Sequence, residues 1–331
     1  MQKVNQDMLI QRAVELLNDG TVSYVLGWQK GEFDYDLTPM IFKDEGSLKN
    51  DFVYSDFCGT NLSKYLVSKT KELGGKILVF LKPCDTYSFN QLLTEHRFDR
   101  EKVYVIGVPC EGMVDISKVK SVVGEGIYKI VSAENGLEIE TFYGDKRTVK
   151  NSDVLLEKCV SCKSKKHVAY DELIGETGEI LDSSRFDEVA RIEAMSPDER
   201  FEFWQNELSK CIRCNACRDA CPACTCEKCV FDNPNSGVEN KSPANEFEEK
   251  MFHIIRAFHV AGRCTDCGEC SRACPQNIPL HLLNRKFIKD INESYGEYQA
   301  GKEVGQRNPF VDYTLGDIEP HEIFDKGENN A

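Results

Sequence analysis

The sequence predicts two regions of different fold class: an α/β N-terminal domain with a parallel sheet at residues 1–182, and a mainly helical C-terminal domain at residues 183–311. Two observations predict this division. Apolar strand-like runs alternate with helical patterns in the first region, whereas helical patterns dominate the second and lead into dense groups of cysteines. Residues 312–331 are acidic and are interpreted as a tail that is mobile or docks a partner.

The elements of the N-terminal domain follow from hydrophobic spacing. Residues 5–19 and 61–73 have apolar side chains at helical intervals, so each is predicted to be a helix. The continuous apolar runs at 77–81 and 103–108 are typical of buried strands, and the segment between them fits a helix that Asp85 can cap. A strand, a helix and a second strand so close together predict parallel strands joined by a right-handed crossover.

The segments after this predicted sheet change from strand-like to helical. The stretch at 124–149 alternates and contains glycines, so it is predicted to form hairpin-like strands. Ser196 and Glu199 form a capping box that opens a helix leading to the first group of cysteines. A helix at about 247–258 leads to the second group, and residues 280–295 form a further helix. The helix at 247–258 and the polar loop before it are interpreted as a helical insertion.

Composition limits the class of partner and the compartment. The chain has 331 residues and a formal net charge of −14. Nucleic acid and anionic membranes are not expected as partners, because binding phosphates needs an excess of Lys and Arg. No segment approaches the ~20 apolar residues that span a bilayer, and the N-terminus does not resemble a signal peptide. We therefore expect no membrane span and a cytoplasmic location.

The cysteines are too numerous and too tightly grouped for a disulfide framework. The chain has 16 of them, and 13 lie between residues 159 and 274 at short intervals. The cytosol keeps thiols reduced, and cysteines so close in sequence rarely pair with each other. Metal binding is therefore the better interpretation.

Two cysteine runs have the same spacing, with gaps of two, two and three residues followed by a proline. The first consists of Cys211, Cys214, Cys217 and Cys221, and the second of Cys264, Cys267, Cys270 and Cys274. This is the spacing of bacterial ferredoxins with two 4Fe–4S clusters, in which the fourth cysteine ligates the other cluster. One cluster is therefore assigned to Cys211, Cys214, Cys217 and Cys274. The other is assigned to Cys264, Cys267, Cys270 and Cys221. Two zinc sites are the alternative, although structural zinc sites more often combine separated pairs of cysteines.

A third cluster is predicted in the N-terminal domain. Cys84 and Cys110 each follow a predicted parallel strand, and open α/β folds bind ligands at that edge of the sheet. Cys159 and Cys162 can complete a set of four ligands for a third 4Fe–4S cluster. The alternatives are that Cys84 and Cys110 are small buried core residues, or that the site holds zinc.

A fourth cluster is a further hypothesis. Cys224, Cys226 and Cys229 follow the first run directly, and Cys58 is the candidate for a fourth ligand. Structural or zinc-binding roles for the three remain open, and Cys58 also fits a core residue.

Several of these motifs resemble one known family. The resemblance is carried by five segments of the chain. They are 211–226, 262–280, Lys-Pro-Cys-Asp at 82–85, Gly-Val-Pro-Cys-Glu-Gly-Met at 107–113 and Cys-Val-Ser-Cys at 159–162. They are similar to the iron–sulfur dicluster beta subunits of anaerobic formate dehydrogenases and hydrogenases, and of redox complexes linked to heterodisulfide reductase. The resemblance implies that other subunits of a redox complex are partners, with soluble ferredoxin as a further candidate. Some members bind FAD and reduce a deazaflavin or nicotinamide, but this chain has no Gly-x-Gly-x-x-Gly motif to support FAD binding.

Three functions are compatible with the sequence. The favoured one is an electron-transfer subunit that passes single electrons between partner subunits through its clusters. The second is a catalytic beta subunit that uses a flavin or a cluster to reduce a deazaflavin or nicotinamide. Lys82, Asp85, His96 and Lys163 are its candidate polar residues, although each also fits a solvated or capping role. The third is a zinc-stabilised binding module, which would be colourless.

Overall fold

A computed structural model describes residues 4–133, 136–162, 166–176, 178, 184–233, 235 and 246–312. The predicted loop before the insertion helix and the predicted acidic tail lie almost wholly outside these residues, as does Lys163.

The N-terminal region alternates helices and strands as predicted. Its elements are α1 (Gln6–Asn18), β1 (Tyr24–Lys30), β2 (Leu37–Phe42), α2 (Glu45–Asp51), α3 (Ser63–Glu72), β3 (Ile77–Leu81), α4 (Pro83–Thr94), β4 (Val103–Gly107), α5 (Ile116–Val123), β5 (Ile127–Ala133), β6 (Gly136–Thr141), β7 (Lys146–Val149), α6 (Glu157–Val160) and β8 (Glu172–Leu173). Asp85 caps α4, as predicted, and does so from the first turn of the helix as part of a capping box with Lys82. There its carboxylate accepts a hydrogen bond from the Lys82 amide at 3.4 Å.

The main sheet has the strand order β2-β1-β3-β4-β8. Strands β1, β3, β4 and β8 are parallel, which the strand–helix–strand pattern predicts. The predicted parallel sheet is confirmed for these four strands but not at one edge, where β2 is antiparallel to β1 and makes the sheet mixed. The reason is the short connection between β1 and β2, since only antiparallel strands can be joined without a long crossover.

The interior of the N-terminal region centres on β3, all five residues of which are buried. Helix α4 is buried along most of its length, so the beginning of this helix lies inside the protein rather than at its surface. A separate small sheet, β5-β6-β7, is antiparallel throughout. This sheet confirms the prediction of hairpin-like strands at 124–149.

The C-terminal region is helical, as predicted. Its elements are α7 (Asp187–Glu193), α8 (Pro197–Leu208), α9 (Ala216–Asp219), α10 (Glu246–His259), α11 (Glu269–Arg272) and α12 (Leu280–Tyr295). The predicted capping box is present: the Glu199 amide donates to Ser196 Oγ at 3.3 Å, and the Ser196 amide donates to Glu199 Oε2 at 2.9 Å. Helices α8 and α10 lead into the first and second cysteine runs, and one-turn helices α9 and α11 lie within the runs.

Buried polar contacts join the two regions. Lys158 of α6 pairs with Glu269 of α11, and both side chains are at most 5% exposed. Ser88 Oγ of α4 lies 2.9 Å from Thr265 Oγ1 of the second run. The second cysteine run is therefore packed directly against the end of the main sheet.

Candidate metal centres

The two cysteine runs adopt the same backbone conformation. In each, the residues on either side of the second cysteine have positive φ: Arg213 (54°) and Asn215 (62°) in the first run, Asp266 (60°) and Gly268 (66°) in the second. Left-handed residues next to right-handed ones turn successive amides toward one side of the chain and so form a concave site for an anion. Each loop is therefore shaped to surround a negatively charged group.

Amide hydrogen bonds to sulfur recur in the two loops. The Arg213 amide donates to Cys211 Sγ at 3.4 Å. At the equivalent position in the second run, burial raises the pKa of Cys264, and a hydrogen bond from the Asp266 amide opposes that rise. Such donors stabilise thiolates, which are the form of cysteine that binds metal.

The first predicted set of ligands meets at one cavity. Cys211, Cys214, Cys217 and Cys274 all line a cavity of about 20 Å³. Cys274 belongs to the second run, so the structure brings the fourth cysteine across to the other loop, as the ferredoxin spacing predicts.

The second predicted set also converges. The negative charge of Cys221 contributes to the raised pKa of Cys264 and of Cys270, for which burial is the main cause. Cys221 itself accepts a hydrogen bond from Cys224, and this lowers the pKa of Cys221 to about 6. Burying several thiolates together is costly unless a metal neutralises them, so this environment fits an iron–sulfur cluster better than free thiols.

The third predicted set lines a separate cavity of about 20 Å³, formed by Cys84, Cys110, Cys159 and Cys162. Leu81 and Gly107 are paired in the register of β3 and β4, and Cys84 and Cys110 each lie three residues further on. The parallel sheet therefore places both thiols at the same edge, and the other pair comes from α6, which contains Cys159, and from Cys162 just after it. The alternative in which Cys84 and Cys110 are ordinary core residues does not account for this convergence.

Two lysines that the sequence did not identify as buried surround the third cavity. Lys82 and Lys158 both line it, and each forms a buried ion pair. Lys82 Nζ lies 2.8 Å from Asp85 Oδ2. Burial lowers the pKa of Lys82, but Asp85 and the neighbouring Cys84 together outweigh that effect and the net shift is upward. Both lysines are therefore cations, which suits a cavity lined by thiolates. No pattern in the sequence distinguishes these two lysines from exposed ones.

The fourth hypothetical set is not brought together. Cys58 is fully buried in the core of the N-terminal region, where its Sγ donates to the Val53 carbonyl at 3.6 Å. Cys224 and Cys229 pack in the C-terminal region instead, and Cys226 is exposed. The burial of Cys58 in the core of the N-terminal region favours the alternative of a core residue over a fourth ligand.

A site for a single metal ion and a site for a cubane require different arrangements of their ligands. Among the residues that the structure describes, no three His, Cys, Asp or Glu side chains are placed to hold one metal ion. Ligands of one zinc ion all lie ~2.3 Å from the same atom, whereas each thiolate of a cubane binds its own iron and stands further from the others.

Comparison with known proteins identifies the same region. Residues 207–278 match the family described as 4Fe-4S dicluster domain, which indicates at least two 4Fe–4S clusters. The F420-dependent formate dehydrogenase subunit beta of Methanocaldococcus jannaschii is 24% identical over 343 aligned positions, covering 85% of this chain and 88% of that protein. The F420-dependent formate dehydrogenase 1 subunit beta of Methanococcus maripaludis is 23% identical, covering 86% of this chain and 88% of that protein.

A third relative matches over a shorter stretch. The succinate dehydrogenase iron-sulfur subunit of Bacillus subtilis is 28% identical over 140 positions, covering 34% of this chain and 51% of that protein. The predicted resemblance to iron–sulfur beta subunits of formate dehydrogenase complexes is thereby confirmed. In the described part of the chain, no helix is long and apolar enough to cross a membrane.

Proposed function

We propose that this chain is an electron-transfer subunit of a multi-subunit oxidoreductase and that it holds three 4Fe–4S clusters in a row. The observation that carries the proposal is the contact between neighbouring cysteine sets. Cys267, of the second set, lines the cavity of the third set. Cys270, also of the second set, lies close enough to Cys217 of the first to affect its pKa. The three sets therefore form a continuous series.

The ligands proposed for each cluster are the predicted ones. The outer cluster takes Cys211, Cys214, Cys217 and Cys274, the central cluster takes Cys264, Cys267, Cys270 and Cys221, and the inner cluster takes Cys84, Cys110, Cys159 and Cys162. Each bound cluster can take up and release one electron. The chain's own groups hold the thiolates, exclude water and supply charge, as Lys82 and Lys158 do at the inner cavity.

A partner subunit has access to the outer end of the series. Cys214 is exposed, and the neighbouring Ile212 is 59% exposed, so the first loop presents an apolar side chain at the surface. By contrast, the second run packs against the N-terminal region through Thr265 and Glu269. We propose that a partner docks over the first loop, with other subunits of the complex or a soluble ferredoxin as candidates.

The test is anaerobic purification from the native source with iron, acid-labile sulfide and flavin quantified. Three clusters predict about twelve irons and twelve sulfides per chain, four of each per cubane. Redox subunits should co-purify. A colourless protein containing zinc would instead support the binding module, and far fewer than about eight irons would contradict the proposal. About sixteen irons would support a further cluster at Cys224, Cys226 and Cys229, completed by a ligand other than Cys58.

A second function is favoured by one further cavity. A cavity of about 680 Å³ lies between α5 and the loop after the second run, and Cys274 is on its wall. Its size is within the ~300–1,000 Å³ typical of small-molecule sites. Two relatives are named as F420-dependent enzymes. The alternative is therefore a catalytic beta subunit that binds a flavin such as FAD, or a deazaflavin, beside the outer cluster.

Ligand titration distinguishes this alternative. The anaerobically purified chain is titrated with FAD and with a deazaflavin while their fluorescence is recorded. Ser121→Phe should fill part of the cavity and abolish binding, because Ser121 lies on its wall. Ser68→Phe, at an exposed position on α3, is the matched control. Failure of the native chain to quench either fluorophore would remove the alternative and leave the relay unaffected.

A further inference from the structure

Helix α10 carries two buried polar side chains that the proposed ligand sets do not use. His253 and Arg256 are one turn apart and are 1% and 3% exposed. Among the described residues, neither nitrogen of His253 has a hydrogen-bond partner, and the guanidinium of Arg256 has no oxygen or nitrogen acceptor and interacts instead with the Cys270 thiol. A thiol is a weak acceptor for a buried guanidinium, so a stronger, negatively charged acceptor is expected there.

The surroundings of Arg256 are thiols from both cysteine runs. Burial lowers the pKa of Arg256, but the thiols outweigh burial and raise it overall. They are Cys270, Cys217, Cys221 and Cys224. Cys217 is assigned to the outer cluster, whereas Cys221 and Cys270 are assigned to the central one. The guanidinium therefore lies between the two sites rather than beside one of them.

His253 faces only the outer site. It lines the cavity of Cys211, Cys214, Cys217 and Cys274, and its ring packs against Phe252 with the centroids 5.0 Å apart. Burial, together with the nearby cations Arg256 and Arg213, lowers the pKa of His253 to about 3. The ring is therefore neutral, which leaves Arg256 as the charged member of the pair.

We propose that Arg256 is a positioning residue shared by the outer and central clusters, where its guanidinium donates hydrogen bonds to cluster sulfur and raises the reduction potential of both. This inference rests on the proposed function. Reduction adds one electron to a cluster and breaks no bond, so a fixed positive charge and N–H donors favour the reduced form. On this proposal, the helical insertion between the two runs has a structural role, because it places Arg256 between the two clusters.

The experiment is an EPR-monitored redox titration of the full-length chain, purified anaerobically. Arg256→Gln removes the charge, Arg256→Met removes it while keeping much of the apolar bulk, and Arg256→Lys retains it. Arg191→Gln is the control, because Arg191 is 52% exposed and pairs with Glu188 on the surface, and its removal changes the net charge equally. Iron and sulfide are counted in every sample.

With iron content unchanged, Arg256→Gln and Arg256→Met should lower the equilibrium constant for reduction of both ferredoxin-type clusters about tenfold, which is ~59 mV for a one-electron couple. Arg256→Lys should shift it less, and Arg191→Gln should not shift it. Full iron content with unshifted potentials in both charge-removing variants would overturn the inference while leaving the proposed function intact. Absence of iron from the native chain would instead overturn the proposed function.

A measurement on the unmutated chain keeps the inference testable if the variants lose iron. Arginine labelled with ¹⁵N only in its guanidinium is incorporated, and pulsed EPR spectra of the reduced protein are recorded. A guanidinium in contact with cluster sulfur should give a ¹⁵N coupling, and Arg256→Lys should lose it if it retains its iron. A native spectrum without this coupling would contradict the contact.

Discussion

The two cysteine runs share their spacing and backbone conformation but differ in their surroundings. The first run reaches solvent at Cys214, which is exposed, while its later cysteines Cys217 and Cys221 are buried. The second is enclosed: Thr265 contacts α4, Glu269 pairs with Lys158, and Asp266 Oδ1 accepts from Arg285 Nε at 2.9 Å. The comparison shows that local sequence determines the shape of each loop, while tertiary packing decides which loop reaches the surface and which lies against the inner site.

Removing a buried ion pair that holds the second run against the N-terminal region should have the largest effect on the unfolding free energy. Glu269→Gln would leave the buried Lys158 ammonium and the neighbouring Arg272 without their shared carboxylate. Removing one partner of a buried ion pair costs about 3–5 kcal/mol of unfolding free energy. The measurement is anaerobic guanidinium denaturation of the iron-loaded chain. Glu188→Gln, which breaks the exposed pair with Arg191, is the control and should change the midpoint little.

The sequence predicted the parts of this fold that depend on local patterns. Strand β3 and helix α12 begin and end where hydrophobic spacing placed them, and the cysteine gaps predicted the crossover of Cys274. The antiparallel pairing of β2 was missed because it is a half-exposed edge strand without a continuous apolar run. The burial of Lys158 depends on its partner 111 residues away, which no local pattern reveals.

Equivalent positions in the two loops should respond differently to substitution. Gly268 has φ of 66°, and a Cβ there would lie 2.3 Å from the Cβ of Lys158. Gly268→Ala should therefore cost more than the ~1–2 kcal/mol of left-handed strain alone. Asn215 occupies the same position in the open loop, and Asn215→Gly should be tolerated. The unfolding midpoints of the two variants compare the loops directly, and equal losses would show that the surroundings do not matter.

The smallest effect is expected at the helix that leads into the open run. Ser196→Ala removes the cap of α8, which costs about 1 kcal/mol of unfolding free energy. Because this cap lies on the exposed side, the variant should keep its full iron content. Chemical denaturation together with an iron assay checks both statements. Loss of iron from this variant would show that the first loop depends on α8 more closely than the contacts indicate.

The most direct test of a three-cluster series is the iron content of two cysteine variants. Cys84 lines the inner cavity, whereas Cys58 is buried nearby without lining it. Under oxygen-free conditions, Cys84→Ser should contain about four irons and four sulfides fewer than the native chain, with both ferredoxin-type clusters retained. Cys58→Ser should contain the native amount. Equal iron content in Cys84→Ser and in the native chain would contradict the inner cluster and leave a series of only two clusters.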